Sequence, residues 1–155
     1  MNIEKKLTQI WIGPKPAPLT WMHTWRDKHP DWEYSIFDDS MLHNRKWHNQ
    51  HLIDRYYAMQ KWPGVSDLIR YELLYERGGF WPEADMTCLE NTDELFTSPK
   101  DHAYSCYENE KGRQNFIQPI MACNPGNAFV KHVIDTLHIL TPNELSPEPF
   151  RSTGN

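Results

Sequence analysis

The stretch Val65-Ser66-Asp67-Leu68-Ile69-Arg70-Tyr71-Glu72-Leu73-Leu74-Tyr75-Glu76-Arg77-Gly78-Gly79-Phe80-Trp81-Pro82-Glu83-Ala84-Asp85 decides the fold. Val65, Leu68, Ile69, Tyr71, Leu73, Leu74 and Tyr75 cover a broad apolar face, so the spacing predicts a largely buried helix opening at Pro63-Gly64. Gly78-Gly79 supplies the stop, because glycine takes up the left-handed conformation that closes helices. Phe80-Trp81 then reads as a strand entering the core and ending at Pro82, which has no N–H for a sheet ladder. That order of elements brings Glu83-Ala84-Asp85 to a strand end, where ligands of open α/β sheets gather.

Upstream, Gln9-Ile10-Trp11-Ile12-Gly13 is a short apolar run halted by Gly13-Pro14, the pattern of a buried first strand. Leu19, Trp21, Met22 and Trp25 recur at helical spacing between Pro18 and His29, and His29-Pro30 ends that helix. Trp32, Tyr34 and Ile36 alternate with Glu33 and Ser35, which predicts a second strand closed by the turn residues Asp38-Asp39-Ser40. Strand, helix, strand is how a nucleotide-binding α/β fold begins. A helix is expected over Met41 to Gln60. Downstream, Met86 to Leu89 reads as a strand, Thr92 to Phe96 as a short helix capped by Thr92, and Ala103–Tyr107 and Phe116–Cys123 as strands. Asn127 to Leu140 forms an amphipathic helix with Phe129, Val130, Val133, Ile134 and Leu137 inward, and Pro142, Pro147 and Pro149 imply an extended tail. The expectation is one domain over residues 1–155.

Composition narrows the function. A formal net charge of -5 without a basic run lacks the phosphate-neutralising stripe that nucleic-acid binding needs. A small nucleotide diphosphate remains admissible if a divalent cation offsets its charge. The seven tryptophans offer flat faces for stacking on bases or sugars, although core packing accounts for most such residues. Cys88, Cys106 and Cys123 have no metal-ligand spacing and lie in stretches read as strands, which fits a reducing compartment. The start of the chain is polar, and no window approaches the roughly 18 apolar residues of a membrane span, so a cytoplasmic protein without one is expected. The eight histidines form no H-E-x-x-H pattern, and neither a Gly-rich phosphate loop nor a Ser or Cys nucleophile motif is present.

Two pairs carry the chemistry. Glu83 and Asp85 are two apart, so on extended backbone both carboxylates project to one side and can share a hard cation. Asp67 and Arg70 are an i,i+3 pair on one helix face.

The run from Val65 to Asp85 resembles the central motif of glycosyltransferases containing the DXD sugar-binding region. That family is similar to yeast initiating mannosyltransferases, bacterial capsule enzymes and the glucosyltransferase domain of large clostridial toxins. Asp67, Arg70, Tyr71, Leu74 and Gly78-Gly79 fall where its pattern expects them, and Trp11-Ile12-Gly13, Trp25, Pro30 and Trp32-Glu33-Tyr34 match its opening. The resemblance spans about residues 7 to 130. It implies an α/β fold of the GT-A type, a Rossmann-like sheet with helices on both faces. It further implies that Trp11, with Ile12 beside it, packs on the donor base, that Asp67 and Arg70 hold the donor sugar, and that Glu83 and Asp85 serve metal and ribose. Gln118 stands where relatives often carry asparagine near the anomeric carbon; a glutamine making turn bonds is the competing reading. Glu83 and Pro82 depart from the family's usual aspartate and small or aliphatic residue. Relatives continue past Thr153-Gly154 into a segment that adds a metal ligand, so a histidine or asparagine, or extra water, is expected to substitute. The implied activity is retaining transfer with Mn²⁺ or Mg²⁺ from a nucleotide diphosphate sugar, UDP-glucose or UDP-galactose before a GDP-sugar. The acceptor would be a glycan, a lipid-linked group or a protein. The rivals are a non-catalytic nucleotide-sugar or glycan-binding module and a metal-dependent phosphohydrolase, the latter without any visible water-activating group.

Overall fold

A computed structural model describes residues 3–96, 101–107 and 116–153, without the side chains of 107 and 116–119. Strands β1 (Lys6–Trp11) and β2 (Glu33–Asp38) pair in parallel from Lys6↔Glu33 to Trp11↔Asp38. Parallel neighbours need a crossover, and α1 (Leu19–Lys28) supplies it. Strand β3 (Gly79–Pro82) flanks β1 on its other side, also parallel, with Leu7 opposite Phe80. Antiparallel β5 (Phe116–Cys123) and β4 (Tyr104–Tyr107) complete the order β2-β1-β3-β5-β4. The chain thus turns to one side of β1 for its second strand and to the other for its third. Beyond the carboxyl ends of β1 and β3 this reversal opens a crevice.

Strand alternation divides the core between two faces. Phe80 and Ala122 point to the α1 side, among Leu7, Trp25, Trp32 and Phe96. Trp81, Met121 and Cys123 point to the other, under α3 (Gln50–Ala58), α4 (Trp62–Arg77) and α5 (Ala128–His138). Helices therefore cover both faces, the expected α/β layering. On α4 the residues Leu68, Ile69, Leu73 and Leu74 are at most 1% exposed. Each such burial contributes about 1.5–3 kcal/mol, which makes α4 the anchor of the fold. The helix stops where Gly78 (φ +62°) and Gly79 (φ +91°) turn the chain into β3. A Cβ on Gly79 would come within 2.5 Å of the Lys6 carbonyl oxygen, so only glycine lets β3 start this close to β1.

Several local expectations are corrected. Asp38-Asp39-Ser40 starts a short helix, α2 (Asp39–Leu42), because Asp38 caps it by accepting from Ser40 N at 2.9 Å. The single helix expected over 41–60 is broken between α2 and α3, where Glu72 of α4 captures the backbone N–H groups of His48 and Asn49. Met86 to Leu89 forms no strand: Trp25 Nε1 donates to Met86 O at 2.9 Å and Cys88 N donates to Thr24 Oγ1 at 2.8 Å, so α1 side chains replace a ladder. Cys88 consequently lies outside any strand. Thr92 does not cap its 3-10 turn, Asp93–Leu95; its hydroxyl pairs with His29 Nε2 at 2.8 Å. Phe129 is 60% exposed, because Asn127 caps α5 and sets a phase that turns Val130, Ile134 and Leu137 inward instead. The tail folds into 3-10 turns at Pro142–Glu144 and Pro149–Arg151 rather than extending. No helix among the described residues is long and apolar enough to cross a membrane.

Candidate active site

The crevice is a cleft of about 390 Å³. Trp11 and Ile12 reach it from the end of β1, Pro82 to Asp85 from the end of β3, and Trp62, Ser66, Asp67 and Arg70 from the first turns of α4. Residues three and four apart share a helix face, which is why one side of α4 can present all four.

At its centre Arg70 is 5% exposed. Its Nη2 donates to Asp67 Oδ1 at 3.2 Å, and its Nη1 lies 3.7 Å from Glu83 Oε1. Its Nε is buried with no hydrogen-bond partner. A buried donor left unmade costs about 1–3 kcal/mol, more when it is charged. Asp67 Oδ2 accepts from the Thr153 hydroxyl at 3.0 Å. Burial pushes the Asp67 carboxyl up, against the opposing pull of Arg70 and Thr153. Burial also pushes Glu83 up, with Arg70 drawing it down and Asp85 and Asp67 adding repulsion. Asp67, Glu83 and Asp85 thus share the cleft lining with two cationic residues, Arg70 and Lys15.

The Glu83–Asp85 pair does not sit on extended backbone as expected. The strand ends at Pro82, and Ala84 and Asp85 form a turn. The turn still brings both carboxylates into the cleft. Gln9 pins its start, donating from Nε2 to Glu83 O at 3.2 Å while its Oε1 accepts from Tyr34 OH at 2.9 Å. Among the described residues no cluster of three or more His, Cys, Asp and Glu is placed to hold a metal.

Trp11 is not a core tryptophan: its indole N–H donates to Lys15 O at 2.7 Å and its half-buried ring stands at the cleft edge. Ile12 is buried and joins the core beneath it. Gln118 belongs to β5, but its side chain lies outside the described residues. Reading from the sequence missed Trp62, Ser66 and Lys15 as lining residues and Gln9 and Thr153 as supports. The one available signal was Trp62 before Pro63, a helix start whose first turn was bound to face whatever α4 points at. Trp62 lies against Gly13 (φ +111°), and its ring meets Tyr57 edge-on at 5.1 Å. Four tryptophans, Trp25, Trp32, Trp47 and Trp81, are core. None of the histidines lines the cleft. Buried His29 is satisfied, accepting from Thr92 N at 3.0 Å on Nε2, which leaves Nδ1 to donate to Trp25 O.

A cleft with aromatic walls at one end and buried charges at the other suits a ligand that joins a flat base to an oxygen-rich group, as nucleotide-binding α/β transferases require. A family model, "Glycosyltransferase sugar-binding region containing DXD motif", matches residues 19–101, more than half of the chain, and the chain belongs to that family. Among solved structures, a PaToxG glycosyltransferase superposes with a TM-score of 0.74 at 17% identity, covering 98% of this chain and 66% of that one. The UDP-bound glycosyltransferase domain from the YGT toxin gives 0.61 at 10% identity, covering 88% and 62%. The likeness is one of fold, and the chain spans just under two thirds of the length of these domains. Comparison with curated proteins finds no match.

Proposed function

We propose that this chain transfers a hexose from a nucleotide diphosphate sugar, UDP-glucose or UDP-galactose before a GDP-sugar, to a glycan, lipid-linked or protein acceptor, with retention at the anomeric carbon. The observation that carries this reading is that Trp11, Asp67, Arg70, Glu83 and Asp85 line one cleft, where Arg70 Nη2 is held on Asp67 and Nη1 lies 3.7 Å from Glu83. Asp67 accepts a sugar hydroxyl, since a carboxylate has about four acceptor sites and two are in use here. Trp11 stacks on the base, a contact worth about 1–3 kcal/mol and tolerant of base identity. A uridine donor is supported by the UDP bound in the similarly folded glycosyltransferase domain from the YGT toxin. Gln118 is assigned to the reacting carbon on resemblance alone, and three free cysteines support a cytoplasmic setting.

Glu83 and Asp85 would hold Mn²⁺ or Mg²⁺, which suit oxygen ligands. Such a cation, when bound, offsets the diphosphate charge and stabilises the charge that grows on it as the glycosidic bond breaks. Asp67 and Arg70 meanwhile orient the sugar, so that only the reacting carbon is left open to the acceptor. That Glu83 leans on Arg70 rather than standing free favours one alternative, a non-catalytic nucleotide-sugar-binding module.

Titration calorimetry with UDP and UDP-glucose, with Mn²⁺ and with excess EDTA, tests the reading alongside an assay that counts sugar transfer against donor hydrolysis. Cation-dependent binding with sugar release is expected. Equal affinity in EDTA would remove the cation bridge, and tight donor binding with neither transfer nor hydrolysis would leave the binding module.

A further inference from the structure

Asp67 is held from two sides, and one of them lies outside the cleft. Its Oδ1 accepts from Arg70, but its Oδ2 accepts from Thr153 Oγ1, a residue 86 positions further along the chain. Thr153 is 3% exposed and is not among the residues that line the cleft.

A threonine hydroxyl has one proton to give. A second acceptor, Pro149 O, also lies 3.0 Å from Thr153 Oγ1. That carbonyl already accepts from Ser152 N at 2.9 Å and Thr153 N at 2.8 Å, so both its lone pairs are in use. The proton therefore goes to Asp67, whose charge makes it the stronger acceptor. The turn presenting the hydroxyl is moored in its own right. Tyr71 OH donates to Thr153 O at 2.6 Å, and Ser146 N donates to Ser152 Oγ at 2.9 Å. Tyr71 stands four residues after Asp67, so one face of α4 grips this turn at two points.

We propose that Thr153 is a positioning residue of the donor-sugar site: its hydroxyl fixes the direction of the Asp67 carboxyl, which makes the turn at 149–153 part of the machinery. The sugar-binding half of this inference rests on the function proposed above. The groups that act on Asp67 are Arg70 from its own helix, Glu83 from the end of β3 and Tyr56 from α3, and Asp85 and Lys15 line the same cleft. Of these only Arg70 donates to its oxygens, so loss of the Thr153 hydroxyl leaves Oδ2 buried with nothing to offset it. Asp67 would then hold its proton to higher pH and rotate more freely, and a neutral carboxyl is the poorer acceptor for a sugar hydroxyl.

Two variants and two readouts test this. Thr153→Val keeps the shape and removes the hydroxyl; Thr153→Ser keeps the hydroxyl. The Asp67 carboxyl is titrated by ¹³C NMR in the ligand-free protein. The affinity ratio of UDP-glucose to UDP is then measured with Mn²⁺ across the acid and neutral range. In Thr153→Val the Asp67 midpoint should rise by roughly one pH unit, the size of a lost hydrogen bond to a charged group. The sugar-dependent gain in affinity should fall roughly tenfold at acid pH, by the same conversion, and recover as pH rises. Thr153→Ser should track the parent in both readouts. An unmoved midpoint in Thr153→Val overturns the proposal, as does a moved midpoint with an unchanged sugar-affinity profile. If the parent gains no affinity from the sugar at all, it is the proposed function that fails, and the midpoint still decides whether Thr153 governs the carboxylate. Should Thr153→Val not fold, Tyr71→Phe loosens the same turn from another atom and should raise the midpoint by a smaller amount; no rise there is equally fatal.

Discussion

Two buried charges sit two residues apart on α4 and are treated in opposite ways. Glu72, 4% exposed, has both oxygens answered: Oε2 accepts from His48 N and Oε1 from Asn49 N, each at 2.8 Å. Those N–H groups lie just before α3, so the carboxylate of one helix anchors the entry to another. Asn49 extends the network, donating to Ile134 O at 3.2 Å and accepting from His138 Nδ1 at 2.9 Å, which ties α3, α4 and α5 together. Arg70 faces the cleft with one nitrogen unanswered. The Glu72 carboxylate is answered by backbone of the fold, whereas Arg70 is paired with a carboxylate that lines the cleft with it.

This contrast can be broken from either side. Glu72→Leu strips the partners from two backbone N–H groups, each costing about 1–3 kcal/mol when buried, so urea unfolding should show a loss of about 2–6 kcal/mol. UDP affinity per folded molecule should hold. Arg70→Met should abolish the gain in affinity from the sugar and, because the Asp67 carboxyl it leaves unpaired can take up a proton, cost less stability than Glu72→Leu; an equal loss removes the distinction. Next in size is Asp67→Asn. Hydrogen bonds to charged groups are worth about 1.5–3 kcal/mol, so transfer or donor hydrolysis should fall at least about tenfold while affinity for free UDP stays level. Full turnover, or an equal loss for UDP and UDP-sugar, would reduce Asp67 and Arg70 to a structural ion pair. Trp11→Ala should weaken UDP binding by about 1–3 kcal/mol, the worth of a stacked base, with the fold intact by circular dichroism. An unfolded variant would mean that Trp11 belongs to the architecture after all.

The smallest effect is on stability against pH. The folded-state pKa of Asp67 lies above its ordinary 3.8, so the folded chain holds this proton more tightly than the unfolded one. The stabilising contribution is complete below the ordinary value and is lost as pH rises from there through the raised one. Melting temperatures of the parent relative to Asp67→Asn should decline across that window. A parent that gains on Asp67→Asn as pH rises would show the carboxylate to be better paired than its surroundings suggest.

What could be read beforehand divides along the same line. The α4 helix, its double-glycine stop and β3 were legible because burial imposes periodicity and glycine marks positive φ, and β5 matched from Phe116 to Cys123. Asp67, Arg70, Glu83 and Asp85 were legible as pairs close in sequence, and all four line one cleft. What escaped were contacts between distant segments. Thr153 on Asp67, Gln9 on Glu83 O and Glu72 on Asn49 N each join residues far apart in the chain through single side-chain atoms, which leave no periodic trace. The segment Met86 to Leu89 misled for the same reason, its backbone being satisfied by the α1 side chains Thr24 and Trp25 rather than by a neighbouring strand. Phe129 misled because a cap, not the apolar count, sets the phase of α5.

Gly13 carries a further consequence. A Cβ there would lie 2.7 Å from Trp62 Cγ, so the indole rests against backbone that bears no side chain. The width of the cleft between β1 and α4 is therefore set by an absent methyl group. Alanine at this position would meet two penalties together, a backbone at φ +111° that a side chain resists and a Trp62 indole that would have to shift. A residue that touches no ligand thus acts as the gauge of the slot, and enlarging it by one carbon would move one wall of the slot while leaving the charged end of the site untouched.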